Sequence, residues 1–144
     1  MATSAQSKFN DFVNQLLRAK HDFSSHVFKI MLTNTAPVVG NAIKGDITEI
    51  AAGNGYTAGG PASAITMASA SGTTTVSGAQ ATITAAGGAI GPFRYAVLYN
   101  DTQTAPVKPL VTFLDYGAAL TLGDGESLTI KFNNVSPGTV FTAS

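Results

Sequence analysis

Before Val27 the hydrophobic positions of the chain recur in steps of three and four, and after it they recur in steps of two. Phe9, Phe12, Val13, Leu16 and Leu17 follow the i, i+3, i+4, i+7, i+8 spacing of a single helix face. Asn10, Asp11, Asn14, Gln15 and Arg18 fill the opposite face, with Asp11 early and Arg18 and Lys20 late, the order that the helix dipole favours. The spacing predicts one amphipathic helix, about Ser7 to Lys20, broken by His21-Asp22-Phe23-Ser24-Ser25. Its apolar face has two readings. It covers the rest of its own chain, as amphipathic helices usually do, or it docks on a neighbouring subunit through Phe9, Phe12, Val13 and Leu16, with aromatic anchors of the kind that interfaces favour.

In the second region Phe28, Ile30 and Leu32 point one way while Lys29, Met31 and Thr33 point the other, as in a strand with one strongly buried face. The alternation returns at Ile65/Met67, Ala79/Ala81/Ile83, Phe93/Tyr95/Val97/Tyr99, Leu110/Thr112/Leu114/Tyr116 and Leu128/Ile130/Phe132, with weaker candidates at Val76 and Val140. Turn residues separate these runs at Asn34-Thr35-Ala36-Pro37, Gly87-Gly88, Asn100-Asp101, Gly123-Asp124-Gly125 and Ser136-Pro137-Gly138. About eight short strands at this spacing predict a mainly β chain, an antiparallel two-sheet β-sandwich of jelly-roll type. Residues 1–26 then form the helix and its connector, and residues 27–144 a single β-sandwich domain.

Two segments depart from this rhythm. Gly40 to Gly60 is irregular, and its run Gly53-Asn54-Gly55-Tyr56-Thr57-Ala58-Gly59-Gly60-Pro61 predicts a loop of a length that is usually functional or mobile. Tyr56 within it joins the helix residues as a candidate contact. Ala62 to Ala86 is dominated by Ala, Ser, Thr and Gly and contains no charged residue. At a sheet edge such a strand invites pairing with another chain, so the expectation is that it is central or covered by a partner, in a homodimer or trimer.

Composition narrows the function. Only 11% of the 144 residues are charged, 8 Lys+Arg against 8 Asp+Glu, and 44% are hydrophobic, many of these among the 22 alanines. Soluble domains usually carry about 25% charged residues. Neutrality with this hydrophobicity argues against disorder, and there is no basic stripe for nucleic acid. No run approaches the roughly 20 apolar residues of a membrane span, and Met1 to Asp11 lacks the basic start and apolar core of a secretory signal.

The search for reaction chemistry is negative. The absence of cysteine excludes a disulfide scaffold, a zinc–thiolate site and a thiol nucleophile. Gly53-x-Gly55 opens no helix, so it lacks the N-terminal amide cradle of a phosphate site. His21 and His26 lie five apart across a break and share no face. Asp115 and Glu126 are the pair that folding would have to bring together for a glycosidase, and Tyr99-Asn100-Asp101, or Tyr56 with Asn54, the groups for a sugar site. Without a Gly-x-Ser-x-Gly elbow either, the chain reads as a non-enzyme with no cofactor or metal.

Several runs carry a resemblance: His21-Asp-Phe-Ser-Ser-His-Val-Phe-Lys-Ile-Met-Leu-Thr-Asn-Thr-Ala-Pro37, Asp46-Ile-Thr-Glu-Ile-Ala-Ala-Gly-Asn-Gly-Tyr-Thr-Ala-Gly-Gly60, Gly91-Pro-Phe-Arg-Tyr-Ala-Val-Leu-Tyr-Asn-Asp-Thr102, Pro109-Leu-Val-Thr-Phe-Leu-Asp-Tyr-Gly117 and Ser127-Leu-Thr-Ile-Lys-Phe132. From about Phe9 to Phe132 the chain resembles a family of small tailed-bacteriophage virion proteins that look like capsid cement or decoration proteins. The resemblance implies a structural protein, made in the host cytoplasm, that binds the capsid exterior and bridges major capsid protein subunits; a tail, neck or fibre component with a receptor- or sugar-binding role is the alternative. The motifs are structural rather than catalytic, so no binding residue is carried over by position.

Overall fold

A computed structural model of the chain describes residues 5–144. The eight predicted strands are all present, as β2 (Phe28–Thr33), β4 (Ile65–Ala70), β5 (Thr73–Gly78), β6 (Ala81–Thr84), β7 (Ile90–Asn100), β8 (Leu110–Leu122), β9 (Ser127–Ile130) and β10 (Gly138–Ala143). Two more appear, β1 (Ala5–Lys8) and β3 (Ala62–Ser63). The fold is mainly β and antiparallel, and its strands form three sheets rather than two: β1-β8-β7-β2-β3, β10-β5-β4 and β6-β9.

The helix is shorter than its spacing predicts. Helix α1 covers Asp11–Leu17, while Ser7 and Lys8 belong to β1, paired with Phe113 and Thr112. The chain turns at Phe9 and Asn10, so Phe9 and Phe12 face different cores despite their helical interval. The Asp11 carboxylate ties down the first turn by accepting from Asn14 (2.9 Å) and Gln15 (2.8 Å). At the other end Lys20 N–H donates to Gln15 C=O (2.9 Å) and Ala19 N–H to Leu16 C=O (3.1 Å), with Ala19 left-handed at φ +60. These bonds close the helix as a Schellman turn.

The middle of the five-stranded sheet, β2 with the adjoining parts of β7 and β8, is buried on both sides. On one face Phe28, Ile30, Leu32, Leu98 and Leu114 meet Val76, Ile83, Ile130 and Val140 from the two smaller sheets. On the other, Met31, Val97, Tyr99 and Phe113 pack with Phe9 and Ile47. The expectation of a single strongly buried face on β2 is therefore corrected: Met31 and Thr33 are as fully buried as Ile30 and Leu32. Longer alternations also break. Val111 is an extra residue opposite the Leu98–Tyr99 step, so Leu110 and Leu114 lie in different cores. A bulge changes the parity of every side chain beyond it.

The irregular segment 34–61 is fastened along the β2 edge of this sheet and reaches both cores, Ile47 the second and Ile50 and Tyr56 the first. Ile50 N–H donates to Leu32 C=O (3.0 Å), Ile30 N–H to Pro61 C=O (2.9 Å), and the Thr33 hydroxyl to Thr48 C=O. Gly60, at φ +75, passes so close to β2 that an added Cβ would sit 1.8 Å from the Ile30 carbonyl oxygen. No helix among the described residues is long and apolar enough to cross a membrane.

Candidate interaction site

The buried polar groups are the first places to look for chemistry, and several of them fasten connections. The Glu49 carboxylate accepts from the Tyr56 hydroxyl (2.6 Å), from Gly59 N–H and from Lys44 Nζ (2.8 Å). Burial pushes the Glu49 pKa up, but the bonds from Lys44, Tyr56 and Gly59 outweigh it and hold the group below the ordinary carboxylate value. The Tyr56 hydroxyl also accepts from Leu32 N–H (3.0 Å), and the Tyr99 hydroxyl donates to Gly59 C=O (2.8 Å). Burial raises both phenols above their usual range.

His21 and His26 do come together, around Asn100. Asn100 Nδ2 lies 2.8 Å from His26 Nδ1 and 3.4 Å from His21 Nδ1, while its Oδ1 accepts from the Thr102 (3.0 Å) and Gln103 (3.2 Å) amides. His21 sits among the rings of Phe12, Phe23 and Phe28, and its Nε2 is buried with no hydrogen-bond partner. Burial first, and the neighbouring His26 second, lower its pKa to about 4. Among the described residues no three His, Cys, Asp or Glu side chains converge as a metal site would need.

The other candidate groups have separate structural uses. Asp115 forms a two-point ion pair with Arg94 (2.7 and 3.0 Å), and Glu126 accepts from Gly123 N–H (2.6 Å) in its own turn. Asp101 is held between Lys29 (2.9 Å) and Lys108 (2.7 Å). Tyr56, Tyr99 and Asn100 are 3%, 1% and 0% exposed, so neither proposed sugar-binding group presents its aromatic ring at the surface.

The predicted contact residues divide in the same way. Phe9, Phe12 and Tyr56 are 0%, 1% and 3% exposed and are core residues of this chain, so they are not surface anchors in this conformation. Leu16 is half-buried against the first core, whereas Val13 is 39% exposed and Leu17, the next apolar position on α1, is 81% exposed. The outer side of α1 thus carries apolar surface at Val13 and Leu17, while Phe9 and Phe12 of the same spacing are core residues.

Beside α1 runs a groove of about 460 Å³, with Leu16, Met67, Val76 and Phe141 among its apolar walls. Met67 is half exposed at its edge. A second cleft, about 420 Å³, lies between β7–β8 and β9, with Phe93, Leu114 and Leu128 inside it and Arg94 and Lys131 on its rim. The hairpin β4–β5 stands at the open margin of the three-stranded sheet, with Thr66 to Ala70 exposed at every position. Sequence reasoning singled out its lack of charge but did not place it at an edge. The neighbour order of a sheet is set by long-range pairing, which alternation does not encode. The chain matches no protein-family model, and no curated protein or solved structure shows significant similarity to it.

Proposed function

We propose that this chain is a structural protein of a tailed-bacteriophage particle, a cement or decoration protein that binds the outside of the head and bridges major capsid protein subunits. The observation that carries the reading is the surface formed by the charge-free β4–β5 hairpin and the apolar outer side of α1. A protein present in many copies on one shell benefits from neutrality, because like-charged neighbours repel and their contacts become salt-sensitive. The resemblance over Phe9 to Phe132 supports the same assignment. We read the two smaller sheets as two parts of one layer facing the five-stranded sheet, a jelly-roll-type sandwich. The bridging is multivalent, with many modest contacts stabilising the lattice together. The copies associate with one another as well as with the shell, in the virion exterior, after synthesis in the host cytoplasm. The protein is not an enzyme and uses no cofactor in this reading.

The competing assignment, a tail, neck or fibre component that binds a receptor or sugar, loses its named groups to the core, since Tyr56 and Tyr99 are buried. The test is co-sedimentation with purified capsids and their retention of DNA on heating. The wild-type chain is expected to co-sediment and delay DNA loss, and Leu17→Glu, a surface change on α1, to weaken co-sedimentation at least tenfold while the protein stays folded. Absence of capsid binding by the folded wild type, or its labelling on tails alone, overturns the reading.

A further inference from the structure

The ends of the three sheets differ in how they are protected. A free strand edge presents unpaired N–H and C=O groups to any other strand, and proteins blunt such edges by shortness, charge, proline or bulges. Here β3 has two residues, β6 and β9 four each, β1 has four and ends in Lys8, and β10 is bulged between Thr139 and Phe141. The β4 edge has none of these protections. It is six residues long, Ile-Thr-Met-Ala-Ser-Ala, uncharged, and in unbroken register with β5 from Ile65↔Gly78 to Ala70↔Thr73.

The hairpin geometry fixes which groups face outward. Ser71 and Gly72 form a two-residue turn with φ +50 and +80, the left-handed pair of a type I′ hairpin. In such a hairpin the flanking residues, Ala70 and Thr73, are a hydrogen-bonded pair, and bonded and non-bonded pairs alternate from there. Ala70, Ala68 and Thr66 therefore spend their backbone groups on β5. Ile65, Met67 and Ser69 turn theirs outward.

We propose that the β4 edge pairs with the β4 edge of a second copy, antiparallel about a two-fold axis at Met67. In that register Met67 faces the partner's Met67, and Ile65 and Ser69 face the partner's Ser69 and Ile65. All outward groups are satisfied by about six inter-chain hydrogen bonds, and two three-stranded sheets become one of six. The occupant is a copy of the same chain because the edge is self-complementary: it is neutral, so identical edges meet without repulsion, and the half-exposed Met67 is covered by its own symmetry mate. A strand edge alone buries much less than the roughly 800 Å² per partner of a stable interface. The groove that Met67 borders beside α1 is continuous with the edge and supplies further apolar surface to cover. The pairing is correspondingly weak between free molecules and strong between copies held side by side. It deepens the self-association named in the proposed function, and its test needs no capsid.

The chain has no cysteine, so an introduced one reports only its own neighbours. Residues facing each other in a bonded antiparallel pair have Cα atoms about 5.5 Å apart, within the range that a disulfide spans. Met67→Cys is expected to give a covalent dimer under mild oxidation, whereas Ser69→Cys, two residues from the axis and opposite the partner's Ile65, does not. Sedimentation of the wild type should show a dimer fraction that rises with concentration, and Met67→Lys should remove it. A wild type that stays monomeric at millimolar concentration, or Met67→Cys that cross-links no faster than Ser69→Cys, overturns the proposal. If that same monomer still binds capsids, the cement assignment stands without it; a dimer that ignores capsids has the reverse meaning.

Discussion

The segment 34–61 and the hairpin 65–78 are neighbours in the chain and opposites in construction. The first has little regular structure, yet it is fastened along the β2 edge by Glu49, Tyr56, Tyr99 and the close approach of Gly60. The second is regular from end to end, yet β4 is open to solvent along one edge and exposed on both faces. Regularity and burial are thus separate properties. Backbone groups must be satisfied wherever they are buried, and a loop does this with side chains where a strand does it with a neighbour. A strand without a second neighbour is left with half its groups unspent, and those groups are available to another chain.

The largest expected difference between the two regions comes from the same substitution made in each. Gly60→Ala drives a Cβ against the Ile30 backbone at a left-handed φ of +75, with a rigid strand on the other side. A loss of about 3 kcal/mol or more is expected in urea denaturation, the range for strained backbone combined with overpacking. Gly72→Ala has a similar φ of +80 but open space around the Cβ, so only the left-handed penalty of about 1 kcal/mol applies. Equal losses at the two sites would mean that the loop is not fastened as tightly as the contact implies.

Acid separates the regions next. The Glu49 pKa is depressed in the fold, so its contribution is complete above the ordinary carboxylate value of 4.5 and is lost as pH falls through the depressed value. His21 acts in a different window. Above its ordinary value of 6.5 it costs nothing; as pH falls toward about 4 the unfolded chain takes up a proton that the folded chain refuses, so stability declines by up to about 3 kcal/mol. Amide exchange at Gly59 and Leu32 is expected to accelerate below pH 4.5 beyond the global change. Glu49→Gln should cost about 1–3 kcal/mol at neutral pH and abolish that local acceleration. The hairpin carries no titratable side chain, and its opening should follow only the global decline.

These outcomes bear on how much was legible beforehand. Strand existence was legible: Phe28, Ile30 and Leu32 do line one core, and the six alternating runs and both weaker candidates, at Val76 and Val140, are strands. Sheet count was not, because two sheets and three use the same alternation and differ only in which edges meet. The helix face was half legible. Phe12 and Leu16 point as the 3.6 period requires, but Phe9 lies before α1, at the end of a strand whose four residues Ala-Gln-Ser-Lys have no hydrophobic alternation to announce it. Tyr56 stands out in a Gly-rich run, but the run does not say whether it faces out or in, and the ring is buried. An aromatic ring in a polar loop marks an anchor as readily as a contact, and its hydroxyl partners, Glu49 and the Leu32 amide, are fixed only by the fold. The absence of charge from Ala62 to Ala86 does reach the surface in β4, but at a sheet edge rather than at the central place that was one expectation for it.

The smallest expected effect on the folded chain is the one that isolates that signal. Thr66 is exposed, points away from the Met67 face, and spends its backbone groups on Ser77. Thr66→Lys in dilute solution should therefore change stability by less than about 0.5 kcal/mol, as surface substitutions usually do. At high concentration the same variant meets a different demand. Across a two-fold axis at Met67 the two lysines would lie diagonally, about 7–8 Å apart, a like-charge pair in the middle of the shared sheet. The wild-type melting temperature should rise with protein concentration, because a partner that binds only the folded state stabilises it by mass action, and the variant's should not. A concentration-dependent rise that survives Thr66→Lys would place self-association elsewhere on the molecule and leave the hairpin merely exposed.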